Sequence, residues 1–170
     1  KDKVCWISDF EALNSFPCVF IGNEFFDALP IKQFKKIGGK FYEKTVILNE
    51  ENNLDFKFLE LSKTSTEIPK YIKVDEEYYD ENSIIEHSEE TKIIFEQICK
   101  IIKQKKGLGI FADYGYTNFV SGDSLQSIYK HKFNPILTNI GEADLTTHVN
   151  FRYLYSLALG LGFRDIYIQN

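Results

Sequence analysis

The sequence predicts an α/β fold in which a parallel sheet carries an inserted antiparallel β-meander. Three observations predict it. Two short, continuous apolar runs, Phe16–Gly22 and Leu108–Ala112, suit strands buried on both faces of a parallel sheet. Between them, residues 31–61 read as three strand-like segments separated by polar turns, the pattern of antiparallel hairpins. A stripe at helical spacing (Ile94, Phe95, Ile98, Cys99, Ile101 and Ile102) supplies a helix to cover the sheet.

In chain order, Lys3–Ile7 reads as a short strand and Asp9–Asn14 as a turn or short helix. Pro17 and Gly22 bound the first apolar run, which leads into NEFFDALP at Asn23–Pro30. Ile31–Lys36 alternates, Gly38 and Gly39 turn the chain, Phe41–Leu48 alternates again, Asn49–Asn53 makes a polar turn, and Leu54–Leu61 follows as a third segment. Ser62–Asn82 is polar and acidic and reads as a long loop with a helical turn. Ser88 is placed to cap a helix running to about Lys106, with Gly107 as its C-terminal glycine. Leu108–Ala112 ends in Asp113-Tyr114-Gly115. Asp123–Tyr129 reads as a short helix, Asn134–Asp144 as loop, Phe151–Leu161 as a helix ended by Gly160 and Gly162, and Arg164–Gln169 as a last strand.

A chain of 170 residues suggests one domain and is long enough to bury roughly 70% of its unfolded surface. The formal net charge of −5 opposes binding to a polyanion, so no nucleic-acid partner is expected. Lys100, Lys103, Lys105 and Lys106 close a helix, where cations suit its dipole. The cysteines, Cys5, Cys18 and Cys99, are odd in number and far apart, so neither a disulfide framework nor a metal site is expected. No apolar run approaches the ~20 residues of a membrane span, and no signal peptide is visible. Methionine is absent, even from position 1, so the chain is not expected to begin at its own start codon: either residues were removed or it is a fragment.

The residues that could carry chemistry follow the two apolar runs, because ligands of such sheets gather at the carboxyl ends of the strands. Glu24 and Asp27 are three apart, which on a helical turn places both carboxylates on one face. Paired carboxylates suit a guanidinium, whose planar donors bond them bidentately. The same spacing also suits two solvated acids in the first turn of a helix. Asp113 and Tyr114 could line a cleft or simply form a turn. His148 could touch substrate or accept a proton, although a lone histidine is as readily structural; His131 and Gln126 stand alike, and His87 reads as a surface residue.

Four blocks in order carry a resemblance: NEFFDALPIKQF from Asn23, GLGIFADYGY at Gly107–Tyr116, GDSLQSIYKHKF at Gly122–Phe133 and GEADLTTHVNF at Gly141–Phe151. Trp6 and the FYEK at Phe41–Lys44 agree with them. On these residues the chain resembles the latter part of the methyltransferases of the mitochondrial complex I assembly factor type, a family with bacterial members. The resemblance implies part of a Rossmann-like, seven-stranded methyltransferase sheet, with the meander of residues 31–61 inserted into one incomplete domain over 1–170. It implies S-adenosylmethionine as cofactor and a protein substrate methylated on arginine, a respiratory complex I subunit being the candidate. It implies the bacterial cytoplasm, or the mitochondrial matrix in a eukaryote, and no membrane insertion. The catalytic roles it implies fall on Glu24, as guanidinium clamp, and Asp27, in support. Asn23, Asp113, Tyr114 and His148 are the implied substrate contacts. Because arginine keeps its proton to about pH 12, these acids would orient the guanidinium rather than deprotonate it. Asn150 and Ser124 stand where the family commonly has Asp and Thr.

Two parts expected of such an enzyme are not found in the sequence: a glycine-rich turn after a first strand, and an acid after a second to hold a ribose. The expectation is therefore the substrate-side portion of a methyltransferase, with little activity alone and a complementary N-terminal half as partner. A non-catalytic partner-binding or assembly module, and an inactive split-gene remnant, are the alternatives.

Overall fold

The computed structural model describes residues 4–13, 17–61, 67–119 and 121–169. Its strands are β1 (Val19–Asn23), β2 (Lys32–Ile37), β3 (Lys40–Leu48), β4 (Leu54–Glu60), β5 (Ile84–His87), β6 (Leu108–Ala112), β7 (Gly115–Tyr116), β8 (Gln126–Tyr129), β9 (Lys132–Asn134), β10 (Asp144–Thr146) and β11 (Val149–Asn150). Its α-helices are α1 (Lys70–Val74), α2 (Glu89–Lys105) and α3 (Phe151–Gly160). Strands β1 and β6 pair in parallel from Val19 opposite Leu108 to Asn23 opposite Ala112. An antiparallel sheet runs in the order β4-β3-β2-β5, and its first three strands follow one another through tight turns. Smaller pairings are the antiparallel β10-β8-β9 and the parallel β7 with β11.

Helix α2 forms where its cap and stripe require it. The Ser88 hydroxyl accepts the Thr91 N–H at 3.0 Å, Glu89 and Glu90 occupy the first turn, and Lys103 and Lys105 the last. Its buried residues Phe95, Ile98 and Cys99 are three and four positions apart. The left-handed residue that ends the helix is Lys106, at φ 55°, and not the expected Gly107. Gly107 answers a different demand: a Cβ there would lie 2.3 Å from the carbonyl oxygen of Cys18, which accepts the Leu108 N–H. The glycine lets the helix exit reach the start of the β1–β6 ladder.

Two apolar clusters hold the elements. Phe26, Phe95, Cys99, Val149, Leu154 and Ala158 are packed where α2 and α3 meet the parallel pair. The Phe26 ring sits 5.0 Å from Phe111 and 6.0 Å from Phe95, the spacing of favourable tilted and edge contacts. The second cluster, Phe34, Ile68, Ile72, Tyr79 and Ile85, fills the face of the antiparallel sheet against α1.

Several expectations are corrected. Helix α2 covers one face of the parallel pair, but the other lies open, with Val19 63%, Ile21 77%, Leu108 54% and Ile110 52% exposed. Burial on both faces therefore does not hold among the described residues. Asp123–Tyr129 contains strand β8 instead of a helix, because β9 and β10 flank it and bury Ser127. Val4–Ile7 and residues 163–169 form no strand, having no pairing partner among the described residues; Lys3 lies outside them.

Gly107→Ala should lower the urea midpoint by the equivalent of about 1–3 kcal/mol, the usual cost of forcing an atom into filled space. An unchanged midpoint would show that the helix exit can move away from Cys18.

Candidate active site

The chain leaves β1 at Asn23 and reverses at Glu24, whose φ of 47° is left-handed. For a residue with a Cβ that conformation costs roughly 1–2 kcal/mol. It is held because the Glu24 N–H donates to Ala112 O at 2.8 Å, adding one more bond to the parallel ladder. Glu24 stays exposed, while Phe26 and Asp27 turn inward.

Asp113, the first residue after β6, makes this bend possible. Its carboxylate accepts the Phe26 N–H at 3.5 Å and the Asp27 N–H at 3.3 Å. Burial pushes the Asp113 carboxyl above its ordinary range, and the neighbouring Asp27 carboxylate adds to the rise; the amides of Asp27, Phe26 and Phe25 oppose it. Because Asp113 takes up these amides, no helical turn forms, and Glu24 and Asp27 do not share the solvent face that their spacing predicted. Asp27 is 5% exposed, and its Oδ1 finds no hydrogen-bond partner among the described residues. An enclosed acceptor without a donor is costly, and such groups concentrate at functional sites.

The segment before α3 closes the other side. Both the N–H and the hydroxyl of Thr147 donate to Asp27 O, at 2.9 and 3.4 Å. The His148 N–H donates to Ser124 Oγ at 2.8 Å, and the Val149 N–H to Tyr114 O at 2.8 Å. Asn150 then caps α3 by accepting the Tyr153 N–H at 3.0 Å, so the amide in that position serves the cap as an aspartate would. Asn23, Glu24, Asp27, Asp113 and Tyr114 thus lie at one end of the parallel pair, held by backbone bonds and by the Asp113 carboxylate, and His148 lies between Thr147 and Val149, which bond to the Asp27 and Tyr114 carbonyls. Tyr114 and His148 are exposed there. Gln126 lies apart, donating to Thr146 Oγ1 at 3.2 Å, and His131 sits exposed in the β8–β9 turn.

Behind this rim lies a hollow of about 30 Å³, water-sized, bordered by Phe26, Glu86, His87, Thr147, His148 and Tyr153. His87, expected at the surface, is 6% exposed. Its ring nitrogens lie 3.3 Å from the Tyr71 hydroxyl and 3.0 Å from the Glu89 carboxylate. Burial lowers its pKa, against the pull of Glu89. Sequence reasoning misplaced His87 at the surface and passed over Tyr71, Thr147 and Glu86. The one available signal was a histidine at the end of a short apolar run, Ile84-Ile85, directly before a helix cap.

A family model described as putative S-adenosyl-L-methionine-dependent methyltransferase matches residues 1–166. This chain belongs to that family. It is 34% identical over 159 residues to the mitochondrial protein arginine methyltransferase NDUFAF7 homolog of Caenorhabditis elegans, covering 91% of this chain and 36% of that protein. It is 27% identical over 157 residues to the mitochondrial protein arginine methyltransferase NDUFAF7 of Rattus norvegicus, covering 92% and 35%. The fold is similar to that of a likely methyl transferase from Burkholderia thailandensis bound to S-adenosyl-homocysteine, with a TM-score of 0.70 at 20% identity over 86% of this chain and 38% of that one. The chain therefore spans about a third of the length of the relatives it matches.

The family's cofactor finds no glycine cradle among the described residues. A Cβ at Gly22 or Gly109 would strike the Phe111 ring, at Gly107 the Cys18 oxygen, and at Gly115 the Val149 oxygen. The space in front of these glycines is filled by protein. Gly38 and Gly39 are open but form a hairpin turn, and the open Gly122, Gly141 and Gly160 lie before β8, before β10 and at the end of α3, not after a strand of the parallel pair.

A carboxyl with a raised folded pKa contributes stability below its unfolded value, about 3.9, and loses it as pH rises through the folded value. Asp113→Asn should therefore flatten the fall in stability across that window, read as urea midpoints from pH 3 to 7. A slope equal to that of the unaltered chain would exclude Asp113 as its source.

Proposed function

We propose that this chain is the substrate-side portion of an S-adenosylmethionine-dependent protein arginine methyltransferase. The observation that carries the reading is the convergence of Glu24, Asp27 and Asp113 at the carboxyl ends of β1 and β6, with the Asp27 Oδ1 lacking a donor. Three carboxylates at two adjoining strand ends suit a guanidinium, which brings five donors and no acceptor.

In this reading Glu24, exposed and held on a reversed backbone, clamps the guanidinium from the solvent side. Asp27 supports it from below, and a modest shift of the bend would bring Oδ1 to one of its N–H groups. Asn23, Asp113, Tyr114 and His148 contact the substrate around them. Orientation can supply roughly 7–11 kcal/mol, whereas a general base contributes typically 10²–10⁴-fold. Positioning is the larger effect, and it does not require a carboxylate to deprotonate arginine. The antiparallel sheet β4-β3-β2-β5 is read as an insertion into a seven-stranded sheet, the described domain being one incomplete unit. The open apolar face of β1 and β6 is read as the docking surface of a complementary N-terminal half that carries the cofactor cradle. The methyl acceptor is a protein arginine, with a respiratory complex I subunit as candidate, in the bacterial cytoplasm or the mitochondrial matrix.

The same open face, together with the missing cradle, also favours a second reading: a partner-binding or assembly module that transfers no methyl group. Calorimetric titration of S-adenosylmethionine separates the two. Binding to a mixture of this chain with the glycine-rich half, and not to either part alone, is the expected result. No heat in any mixture would leave the binding module.

In a methyl-transferring assembly, Glu24→Gln should lower kcat/KM for an arginine peptide roughly 10–100-fold, the worth of a hydrogen bond to a charged group. An unchanged rate would remove the clamp from Glu24. Glu24→Gly should abolish transfer yet raise stability by about 1 kcal/mol, since glycine adopts the left-handed turn freely; calorimetric melting reads the gain.

A further inference from the structure

The antiparallel sheet and the candidate active site meet through one buried carboxylate. Glu86, on β5, is 7% exposed, and no lysine, arginine or histidine among the described residues forms an ion pair with it. Hydrogen-bond donors hold it instead. Its Oε1 accepts Gln33 Nε2 at 2.7 Å and the Ser124 N–H at 3.0 Å, while Oε2 accepts the Ser124 hydroxyl. Having given its proton to Glu86, Ser124 Oγ is free to accept, and the His148 N–H donates to it at 2.8 Å. Gln33 Nε2 gives its second proton to Asp123 Oδ1 at 2.6 Å, and Lys44 Nζ meets Asp123 Oδ2 at 2.7 Å. Two successive residues of the 121–125 loop are thereby gripped by three strands of the sheet.

The charge on Glu86 matters to this arrangement. A hydroxyl can rotate toward any acceptor, but a bond to a carboxylate is roughly twice as strong as one to a neutral group and fixes the rotor. The fixed rotor leaves one lone pair aimed at His148. The preceding residue, Thr147, is tied to Asp27 O. Neighbouring peptide units are thus fastened, one to Asp27 and the other, through one hydroxyl, to Glu86. We propose that Glu86 is a positioning residue: acting through Ser124, it sets the place of the His148 segment beside Asp27, and so couples the antiparallel sheet to the site that receives the methyl acceptor. The coupling to catalysis rests on the arginine methyltransferase reading; the positioning of the segment does not.

The test uses the full chain and amide hydrogen exchange by NMR, with Ser124→Ala, Ser124→Thr and Glu86→Gln. Ser124→Ala keeps the backbone bond to Glu86 and removes only the hydroxyl. It should speed exchange at the His148 amide at least tenfold while the amides of α2 stay unchanged. Ser124→Thr should restore protection, and Glu86→Gln should fall between. A His148 amide equally protected in Ser124→Ala and in the unaltered chain would overturn the proposal, as would a loss spread evenly over α2. In a methyl-transferring assembly, Ser124→Ala should lower kcat without moving KM for S-adenosylmethionine, and Ser124→Thr should recover it. Lost protection with kcat intact would overturn the coupling to catalysis. An unaltered protein that transfers no methyl group would sink the proposed function instead, leaving the exchange result to decide whether Glu86 positions the segment.

Discussion

The capture of the Phe26 and Asp27 amides by the Asp113 carboxylate is the contact on which the rest of the site depends. It joins the residue after β6 to the bend after β1, so two parallel strands end in a common knot instead of two separate loops. The bend turns Phe26 into the core and leaves Glu24 outside. Thr147 then docks on the carbonyl of Asp27, which brings in the segment that starts α3. Without Asp113 the bend that offers the Asp27 carbonyl to Thr147 would lose the acceptor that fixes it. That acceptor sits where burial disfavours its own charge, a tension met by the amides it binds.

Stability is given up locally at this place. Glu24 occupies a left-handed backbone, Asp27 encloses an oxygen without a donor, and Asp113 is a carboxyl with a raised pKa. Each is unfavourable for folding alone, and all lie within a short distance along two strand ends. Such clustering is what a binding site for a donor-rich cation would require, since the ligand supplies the missing donors. The surrounding structure compensates through the packing of Phe26 against Phe95 and Phe111 and through the cap-and-stripe design of α2.

The antiparallel sheet belongs to the same arrangement. Its two inner strands present Lys44 and Gln33, and its edge strand β5 presents Glu86, to a loop that has little regular structure of its own. A loop held by a sheet through charged and amide groups keeps one geometry. The exposed apolar face of β1 and β6 stands opposite in character: it offers no polar groups to organise and invites cover by another apolar surface.

What the sequence determined by itself was local. The glycine pair at Gly38 and Gly39, the polar turn at Asn49–Asn53, the Ser88 cap and the 3.6-residue stripe of α2 each depend on residues a few positions apart, so their elements could be read from the chain. The blocks that follow β1 and β6 were legible as chemistry for the same reason, since their acids are consecutive with the strand ends. What only the tertiary structure decided depended on distant partners. Strand β8 exists because β9 and β10 flank it; His87 is buried because Tyr71 packs on it; Gly107 is a glycine because Cys18 passes close by. The split between an exposed Glu24 and an enclosed Asp27 was set by Asp113, 86 residues from Asp27 along the chain. Hydrogen-bond capture across that separation overrides helical spacing, and no periodicity in the sequence records it.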